Sequence, residues 1–366
     1  MIYLDYSATT PCDEQILISY TDAVREFFSN PNSNHTLGLV AKKKYLLQGD
    51  LIAGHLSMPS SETVFTSGAT EANNLAIRGI KHKEGAHTIT TLYEHSSVNA
   101  CFAKLQKEGV TVDFAPTTER GLIDLEGLEK LIRPDTYLVS IGAVNSEIGL
   151  VQDLDGIKKM LNSYPQLIFH SDITQALGKI ALPINMPDLV SLSAHKIYGL
   201  KGAGALVKPK TLDLDRVLMG GESLSKARPG TPDLPMAIMV EKAVALALSS
   251  LDEHQESIAY LSSYLRDKLS KNKNVHINSN DHCLPQILNI SLPGFKASVV
   301  RDILASQEIY VSTQTACRHD ADYSETILRL TNNLELAASS IRISLSHLTT
   351  LGEIERLVEV INERFR

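Results

Sequence analysis

Short apolar stretches alternate with helical patterns through the first part of the chain. One helical pattern follows residue 74 and carries its apolar residues at Leu75, Ile77 and Ile80. The apolar stretches are typical of buried strands and predict seven of them, at residues 62–66, 87–91, 110–114, 137–141, 167–170, 189–192 and 205–207. Such alternation predicts an α/β fold with a mainly parallel seven-stranded sheet.

The pattern changes after residue 230. Pro232 and Pro235 precede a long helical region, Ala237 to Leu269. Beyond it the sequence predicts strands at 287–291 and 340–346, a helix at 297–306 and a closing helix from Leu351. We therefore expect a large α/β domain at residues 12–255, and a smaller α+β domain formed by residues 1–11 and 256–366.

Composition agrees with a compact enzyme and excludes several classes of protein. The 366 residues are 43% hydrophobic, enough for a large core, and the length suggests two domains. A net charge of −7 is not typical of a nucleic-acid-binding protein. Residues 1–20 lack a signal peptide pattern, and no apolar run reaches the roughly 20 residues of a membrane span. We expect a cytoplasmic protein without direct nucleic-acid or membrane contacts.

Two predicted neighbouring strands end in residues suited to one cofactor. Asp172 follows the strand at 167–170, and Lys196 follows the strand at 189–192. The interval between them is long enough for a crossover between adjacent parallel strands, so both side chains would lie at one sheet edge. A lysine amine can bind an aldehyde, and a carboxylate can keep a pyridine nitrogen protonated, which is the requirement of pyridoxal 5'-phosphate. The alternative is a simple ion pair.

A phosphate site is predicted beside these two residues. The segment 67–74 (SGATEANN) follows a strand and opens a helix, so its backbone N–H groups and helix dipole favour a dianion. We assign Ala69 and Thr70 to the phosphate, with Ser193 and His195 as further donors from the lysine strand. An ordinary helix cap is the alternative for this turn.

The four cysteines indicate a reducing compartment and one candidate nucleophile. Cys12, Cys101, Cys283 and Cys317 are widely spaced, without the pairs expected of a disulfide framework or a structural zinc site, so we expect no metal. Cys317 lies in a polar segment beside Arg318 and His319, which would favour a thiolate on an exposed loop. The alternative is a surface thiol without a role.

These motifs, in this order, resemble the cysteine desulfurases of the class V aminotransferase family, which are fold type I pyridoxal phosphate enzymes. The resemblance covers nearly the whole chain, and the segments that carry it are 3–11 (YLDYSATTP), 30–33 (NPNS), 67–71, 94–95 (EH), 144–149 (VNSEIG), 193–196, 315–317 (TAC) and 340–344 (SIRIS). It implies a homodimer in which Thr231 contacts the phosphate bound by the partner subunit.

The resemblance also implies a role for each matching residue. His95 would stack on the cofactor ring and act as an acid or base, and Gln175 would bind the phenolic oxygen. Asn145 and Arg342 would hold the substrate carboxylate, and Cys317 would be the nucleophile. Taken singly, His95 is typical of a satisfied surface histidine, Gln175 of a turn cap, and Arg342 of the solvated face of an alternating strand.

The implied reaction converts L-cysteine to L-alanine and leaves the sulfur on Cys317 as a persulfide. An acceptor protein would then take it, either an iron–sulfur scaffold or a transfer-RNA thiolation enzyme. A selenocysteine lyase or another small-amino-acid pyridoxal phosphate enzyme is an alternative that needs no Cys317, and a weakly active scaffold-like paralogue is another. The sequence departs from the family pattern at Ser146, Leu200 and Pro229 and within residues 219–222 and 312–315. These departures leave Lys196, Asp172 and Cys317 unchanged, but they bear on substrate preference and loop motion.

Overall fold

The computed structural model describes residues 1–313 and 323–365. Its strands are β1 (Ile2–Tyr3), β2 (Ser61–Thr66), β3 (His87–Thr90), β4 (Thr111–Phe114), β5 (Thr136–Ser140), β6 (Ile168–Asp172), β7 (Leu189–Ser193), β8 (Gly204–Pro209), β9 (His276–Ile277), β10 (Ile287–Ser291), β11 (Ile309–Tyr310) and β12 (Ser340–Ser344). Its helices are α1 (Glu14–Glu26), α2 (Thr36–His55), α3 (Ala69–Arg78), α4 (Ser96–Lys107), α5 (Leu125–Leu131), α6 (Leu154–Leu161), α7 (Leu234–Ser249), α8 (Leu251–Ser270), α9 (Ala297–Ala305), α10 (Glu325–Thr331), α11 (Leu334–Ala338) and α12 (Leu351–Arg364).

The seven strands predicted from the apolar stretches form one sheet, in the order β2-β8-β7-β6-β5-β3-β4. Strands β4, β3, β5, β6 and β7 run parallel to one another. Strand β8 is antiparallel to both β7 and β2. The mainly parallel seven-stranded sheet is therefore confirmed, and most boundaries differ from the prediction by one or two residues.

Neighbouring residues of the sheet strands face two separate apolar layers. Leu138 packs in one cluster and Val139 in the other, and the same alternation holds for Leu189 and Val190. Successive side chains of a strand point to opposite faces, so both faces of this sheet are covered. This double burial explains why the strands appear in the sequence as continuous apolar runs.

Acidic and hydroxyl side chains set several helix starts. Asp13 accepts hydrogen bonds from two backbone N–H groups of α1, and Asp233 accepts one from Met236 in α7, which also has a proline in its first turn. Thr350 and Glu353 form a reciprocal capping box at α12. Each such N-cap contributes about 1 kcal/mol to helix stability.

The C-terminal part of the chain has its own apolar cluster. Strands β12, β10 and β9 form an antiparallel sheet that packs with α8, α9 and α12. Leu4 belongs to this cluster, and β1 pairs in parallel with β11, so the N-terminal residues join the C-terminal part. The division at residues 12 and 255 stays a prediction.

The predicted helical region at 237–269 is two helices. Helices α7 and α8 meet at Ser250 with a bend of 62°. In the described part of the chain no single helix has the length and apolar composition of a membrane span, and α7 and α8 reach it only when taken together.

Candidate active site

A cavity of about 530 Å³ opens at the carboxyl ends of β6 and β7. Every site residue predicted within the described chain lines it except Thr231: Ala69, Thr70, His95, Asn145, Asp172, Gln175, Ser193, His195, Lys196 and Arg342. Asp172 is the last residue of β6, and Lys196 ends a short 3-10 turn directly after β7. Because β6 and β7 are adjacent and parallel, the two side chains reach the same sheet edge, as the sequence predicted.

The N-terminal segment contacts Lys196. Lys196 Nζ donates to the backbone carbonyls of Ser7 at 2.5 Å and Ala8 at 2.7 Å. The backbone carbonyl of His195 accepts hydrogen bonds from the Thr10 N–H and hydroxyl. Sequence analysis assigned no role to residues 7–10, although they lie in the resembling segment 3–11. They attach the N-terminus to the lysine turn.

The Asp172 carboxylate is held by two donors. Asn73 Nδ2 donates to Oδ2 at 2.8 Å, and the Thr174 backbone N–H donates to Oδ1 at 3.0 Å. Hydrogen bonds to the ionised form stabilise the negative charge. Asn73 is fully buried on α3, and sequence analysis placed it in the phosphate turn without assigning it a function.

The start of α3 has the geometry of an anion site. Its N-cap is Gly68, with φ 147°, and no side chain caps the first turn within the described residues. A Cβ on Gly204 would lie 2.7 Å from the Gly68 Cα, so the two backbones approach too closely for larger residues. A glycine N-cap also fits the ordinary helix cap considered above, which stays an alternative, and the first residues of α3 line the cavity together with Ser193.

His195 lines the cavity together with Ser193. Burial, with the positive charges of Lys196, Lys201 and Lys179, lowers the pKa of His195 to about 4. Its Nδ1 lies 3.2 Å from the Thr9 hydroxyl oxygen. Lys201, which also lines the cavity, adds a positive charge that sequence analysis missed.

His95 is both a helix cap and a wall of the cavity. It is the N-cap of α4, and its Nδ1 accepts a hydrogen bond from the Ser97 backbone N–H at 3.2 Å. Burial lowers the pKa of His95, opposed by Asp172 and aided by Lys196. Because Nδ1 accepts this hydrogen bond, the neutral form of the imidazole carries its hydrogen on Nε2.

Gln175 is held from both sides. Its Nε2 donates to the Ser7 carbonyl at 2.9 Å, and its Oε1 accepts from Lys179 Nζ at 2.7 Å. Gln175 therefore does not simply cap its own turn, and the orientation of its amide is determined by these partners. Burial and the charges of Lys196 and Arg342 lower the pKa of Lys179 to about 7.

We call the region formed by the start of α3 and the ends of β6 and β7 the cofactor end, and the region around Arg342 the substrate end. Arg342 lies on β12 and is only 2% exposed, so its alternative as a solvated strand residue is wrong. Its Nη2 pairs with Asp5 Oδ1 at 2.6 Å, and its Nη1 donates to the Ser146 carbonyl at 2.9 Å. A planar guanidinium held in this way can present further N–H groups to a carboxylate.

Asn145 also lies at the substrate end, and its side-chain amide is hydrogen-bonded to backbone groups. Its Nδ2 donates to the Tyr93 carbonyl at 2.9 Å, and its Oδ1 accepts from the N–H groups of Glu147 and Ile148. The amide is therefore fixed in the cavity wall, with one Nδ2 hydrogen not used by Tyr93.

Glu94 is a second carboxylate of the cavity that sequence analysis did not assign. It accepts hydrogen bonds from the Thr91 hydroxyl at 2.7 Å and from the Gly142 N–H at 2.9 Å. Burial raises the pKa of Glu94 from 4.5 to about 7. The Glu94-His95 pair was visible as a motif, but the burial that raises this pKa is a tertiary effect.

Two predicted site residues are not part of this cavity wall. Thr231 is exposed and does not line the cavity of its own chain. Cys317 lies outside the described residues. Among the described cysteines Cys101 is buried and Cys283 is partly buried, and burial raises the pKa of each thiol to about 11.

The chemistry of the cavity fits pyridoxal phosphate. The α3 start, Ser193 and His195 offer donors for a phosphate, Asp172 offers a carboxylate for the ring nitrogen, and Lys196 offers an amine for the aldehyde. The buried Thr174 hydroxyl also lines the cavity and has no hydrogen-bond partner among the described residues, as expected where a polar ligand binds. The described residues contain no cluster of metal-binding side chains.

Comparisons with known proteins agree with this geometry. Residues 2–357 match the family described as aminotransferase class-V. A relative named cysteine desulfurase IscS, from Vibrio cholerae serotype O1 (strain M66-2), is 36% identical over 373 residues that cover 98% of this chain and 91% of that protein. A solved NifS-like protein has a TM-score of 0.89 and 30% identity over 99% of this chain and 98% of that one. The structure titled SspA in complex with cysteine has a TM-score of 0.81 and 29% identity over 96% and 100%.

Proposed function

We infer that this chain, which belongs to the class V aminotransferase family, is a pyridoxal phosphate-dependent cysteine desulfurase that converts L-cysteine to L-alanine. One observation carries the inference. Lys196 and Asp172 lie at the carboxyl ends of two adjacent parallel strands and line the same cavity as the start of α3, the proposed phosphate site. L-Cysteine as substrate is supported by two similar proteins, the relative named cysteine desulfurase IscS and SspA, whose structure is in complex with cysteine.

The residues of the cavity divide the chemistry between them. Bound pyridoxal phosphate supplies an electron sink that makes the substrate Cα–H acidic and weakens the bond to sulfur. In our proposal Lys196 Nζ would hold the aldehyde and move the Cα proton, and Asp172 would keep the ring nitrogen protonated. Gln175 would hold the phenolic oxygen, and His95 would hold the ring. Arg342 and Asn145 bind the substrate carboxylate.

Cys317 is the proposed sulfur acceptor. Its thiolate would form a bond to the substrate sulfur while the bond from that sulfur to Cβ breaks, so the sulfur stays on the enzyme as a persulfide. The electron pair of the broken bond stays with Cβ, which takes up a proton and becomes the methyl group of L-alanine. The support is the sequence beside it, because Arg318 and His319 favour the thiolate. The three other cysteines do not line the cavity, and burial raises the pKa of each.

The decisive experiment uses L-cysteine, with mass spectrometry of the protein and an alanine assay. Cys317→Ser should bind pyridoxal phosphate but form no protein persulfide, whereas the matched control Cys283→Ser should form it on the peptide that contains Cys317. Undiminished alanine production and sulfur transfer by Cys317→Ser would remove Cys317 from this role. That result would favour the lyase alternative.

A homodimer is proposed from the exposed surface near Thr231. Helices α1 and α2 and the loop between them expose large apolar side chains: Leu17, Ile18, Val24, Phe28, Leu37, Leu39, Val40, Leu46, Leu47 and Leu51. Asn32 in this loop donates to Ser223, whose hydroxyl donates to the Gly230 carbonyl. The apolar surface therefore adjoins the segment that carries Thr231, and a second copy of the chain would cover both.

The dimer has its own test. Val40→Glu combined with Leu47→Glu should give a monomer in sedimentation that loses pyridoxal phosphate on dialysis. Thr231→Ala should stay dimeric but retain the cofactor less well, and the exposed control Thr211→Ala should behave as wild type. A monomeric double variant that keeps full cofactor occupancy would contradict a phosphate site shared between subunits.

The sulfur acceptor and the compartment complete the proposal. A protein of iron–sulfur cluster assembly or of transfer-RNA thiolation would take the sulfur from Cys317, without direct contact between this chain and nucleic acid. We propose the cytoplasm as the compartment, because Cys12, Cys101 and Cys283 are free thiols.

A further inference from the structure

The Asp172 carboxylate and the His95 imidazole are joined by two buried side chains. Asn73 Nδ2 donates to Asp172 Oδ2 at 2.8 Å and to the Ser97 hydroxyl oxygen at 2.9 Å. The Ser97 hydroxyl oxygen lies 2.8 Å from His95 Nδ1. The four residues come from α3, β6 and the start of α4, so the connection exists only in the folded chain.

Chemistry determines the direction of each hydrogen bond in this chain. An ionised carboxylate only accepts, so the Asn73 amide must turn its NH₂ group toward Asp172. His95 Nδ1 accepts the Ser97 backbone N–H and therefore carries no hydrogen. The Ser97 hydroxyl must then donate its own hydrogen to Nδ1 while it accepts one from Asn73.

The Asn73 side chain is buried with one polar atom unsatisfied. Asn73 is fully buried, and its Oδ1 has no hydrogen-bond partner among the described residues. A buried carbonyl oxygen without a partner destabilises the fold, whereas an apolar side chain of similar size would leave Asp172 and Ser97 without this donor. The arrangement instead uses both amide hydrogens, one for the carboxylate and one for the serine.

We propose that Asn73 is a positioning residue that links Asp172 to His95 through Ser97, so that the imidazole stays neutral and presents its Nε2–H to the cavity. Protonation of Nδ1 would require the Ser97 hydroxyl to reverse, and the Asn73 hydrogen bond opposes this reversal. His95 therefore acts as a hydrogen-bond donor through Nε2. Among the described residues, Asp172 favours protonation of the imidazole and Lys196 opposes it.

The first test needs no cofactor and no turnover. Nitrogen-15 NMR of histidine-labelled, cofactor-free protein should show His95 with a hydrogen on Nε2 and none on Nδ1. Asn73→Leu and Ser97→Ala should each raise the pKa of His95 in an NMR titration, because each removes a group that opposes protonation of Nδ1. The matched control is Asn74→Leu, since Asn74 contacts Thr70 and Arg78 on the same helix but not Asp172 or Ser97. Ser97→Ala keeps the test valid if Asn73→Leu does not fold.

The second test measures catalysis and rests on the proposed function. Asn73→Leu should lower kcat for L-cysteine by about tenfold, the effect of one lost hydrogen bond to a charged group, while KM changes little. Ser97→Thr keeps the hydroxyl and should retain wild-type activity. An unchanged pKa of His95 in both Asn73→Leu and Ser97→Ala, or a hydrogen on Nδ1 in the wild type, would overturn the proposal. Failure of the desulfurase assay in the wild type would instead contradict the function and leave the NMR result intact.

Discussion

The two ends of the cavity are built from different kinds of sequence information. At the cofactor end, the phosphate turn, Asp172 and Lys196 each follow a buried strand of the same sheet. At the substrate end, Arg342 on β12 pairs with Asp5, near the other terminus of the chain, and donates to Ser146. The first end depends on the local rule that parallel strands share an edge, whereas the second depends on contacts between distant segments.

The difference has an energetic consequence. Arg342 and Asp5 are a largely buried ion pair, and loss of one partner of a buried pair costs about 3–5 kcal/mol because the other charge stays uncompensated. At the cofactor end, the Asp172 carboxylate is held by two uncharged donors, the Thr174 backbone N–H and the Asn73 amide. We therefore expect substitutions at the cofactor end to affect chemistry and those at the substrate end to affect binding and folding together.

The largest effect is expected from Lys196→Ala, at the cofactor end. Turnover of L-cysteine should fall below detection, and the visible absorbance of the lysine-bound cofactor should disappear, because Lys196 lines the cavity directly after β7, beside the end of β6 that carries Asp172. The exposed residue Lys210 provides a control, and Lys210→Ala should show wild-type absorbance and rate. Retention of the chromophore by Lys196→Ala would place the cofactor lysine elsewhere.

Asp172→Ala should have the next largest effect. A pyridine nitrogen without its carboxylate partner is a poorer electron sink, so kcat should fall by roughly 10²-fold or more, as for loss of a catalytic acid or base, while some cofactor stays bound. Steady-state kinetics with spectrophotometric determination of cofactor content separates the two effects. Near-normal kcat would mean that Asp172 does not face the ring nitrogen.

Asp5→Asn tests the substrate end. It removes the charge beside Arg342 but preserves the shape, so the guanidinium loses orientation, and KM for L-cysteine should rise by about tenfold, the effect of one charge-assisted hydrogen bond. The value of kcat at saturation should change less than it does in Asp172→Ala. If Asp5→Asn lowers kcat with KM unchanged, the division of the cavity into two ends is wrong.

The last prediction concerns stability instead of turnover: Glu94→Gln is compared with wild type by unfolding in urea at several pH values. Burial raises the pKa of Glu94 from 4.5 to about 7, so between these values the folded state binds more protons than the unfolded chain. Stability contributed by Glu94 is therefore present below pH 4.5 and is lost as pH rises to about 7. In cofactor-free protein, the variant should gain about 1–3 kcal/mol over wild type between pH 5 and pH 7.5. The exposed control Glu119→Gln should show no such gain, and a gain at low pH would reverse the sign.

Much of the cofactor end was predictable from the sequence. The strands before Asp172 and Lys196 are buried on both faces, which leaves continuous apolar runs, and the polar residues that end them are easy to recognise. The family resemblance assigned roles to four more residues, His95, Gln175, Asn145 and Arg342. The sequence pattern by itself predicts no functional role for them. The structure brings all of these to the same cavity.

Asn73, Lys179, Glu94 and Asp5 were not assigned by sequence analysis. Asn73 lies within the segment 67–74, but its hydrogen bond to Asp172 depends on how α3 packs over β6. The low pKa of Lys179 and the high pKa of Glu94 arise from burial among distant residues. No local pattern carries that information, because solvent exposure and Coulomb interactions depend on the whole fold.

The sequence by itself determined the α/β class, the order of its strands along the chain and the residues that end them, because hydrophobic periodicity and strand-end chemistry are local properties. Tertiary structure alone decided that the N-terminal residues Ser7 and Ala8 bind Lys196, that Asp5 pairs with Arg342, and that Asn73 bonds to both Asp172 and Ser97. These contacts join segments that are far apart in the chain, and they exist only after the apolar layers have packed and excluded water. The physical reason is that a side chain's partners and its charge state depend on its neighbours in space.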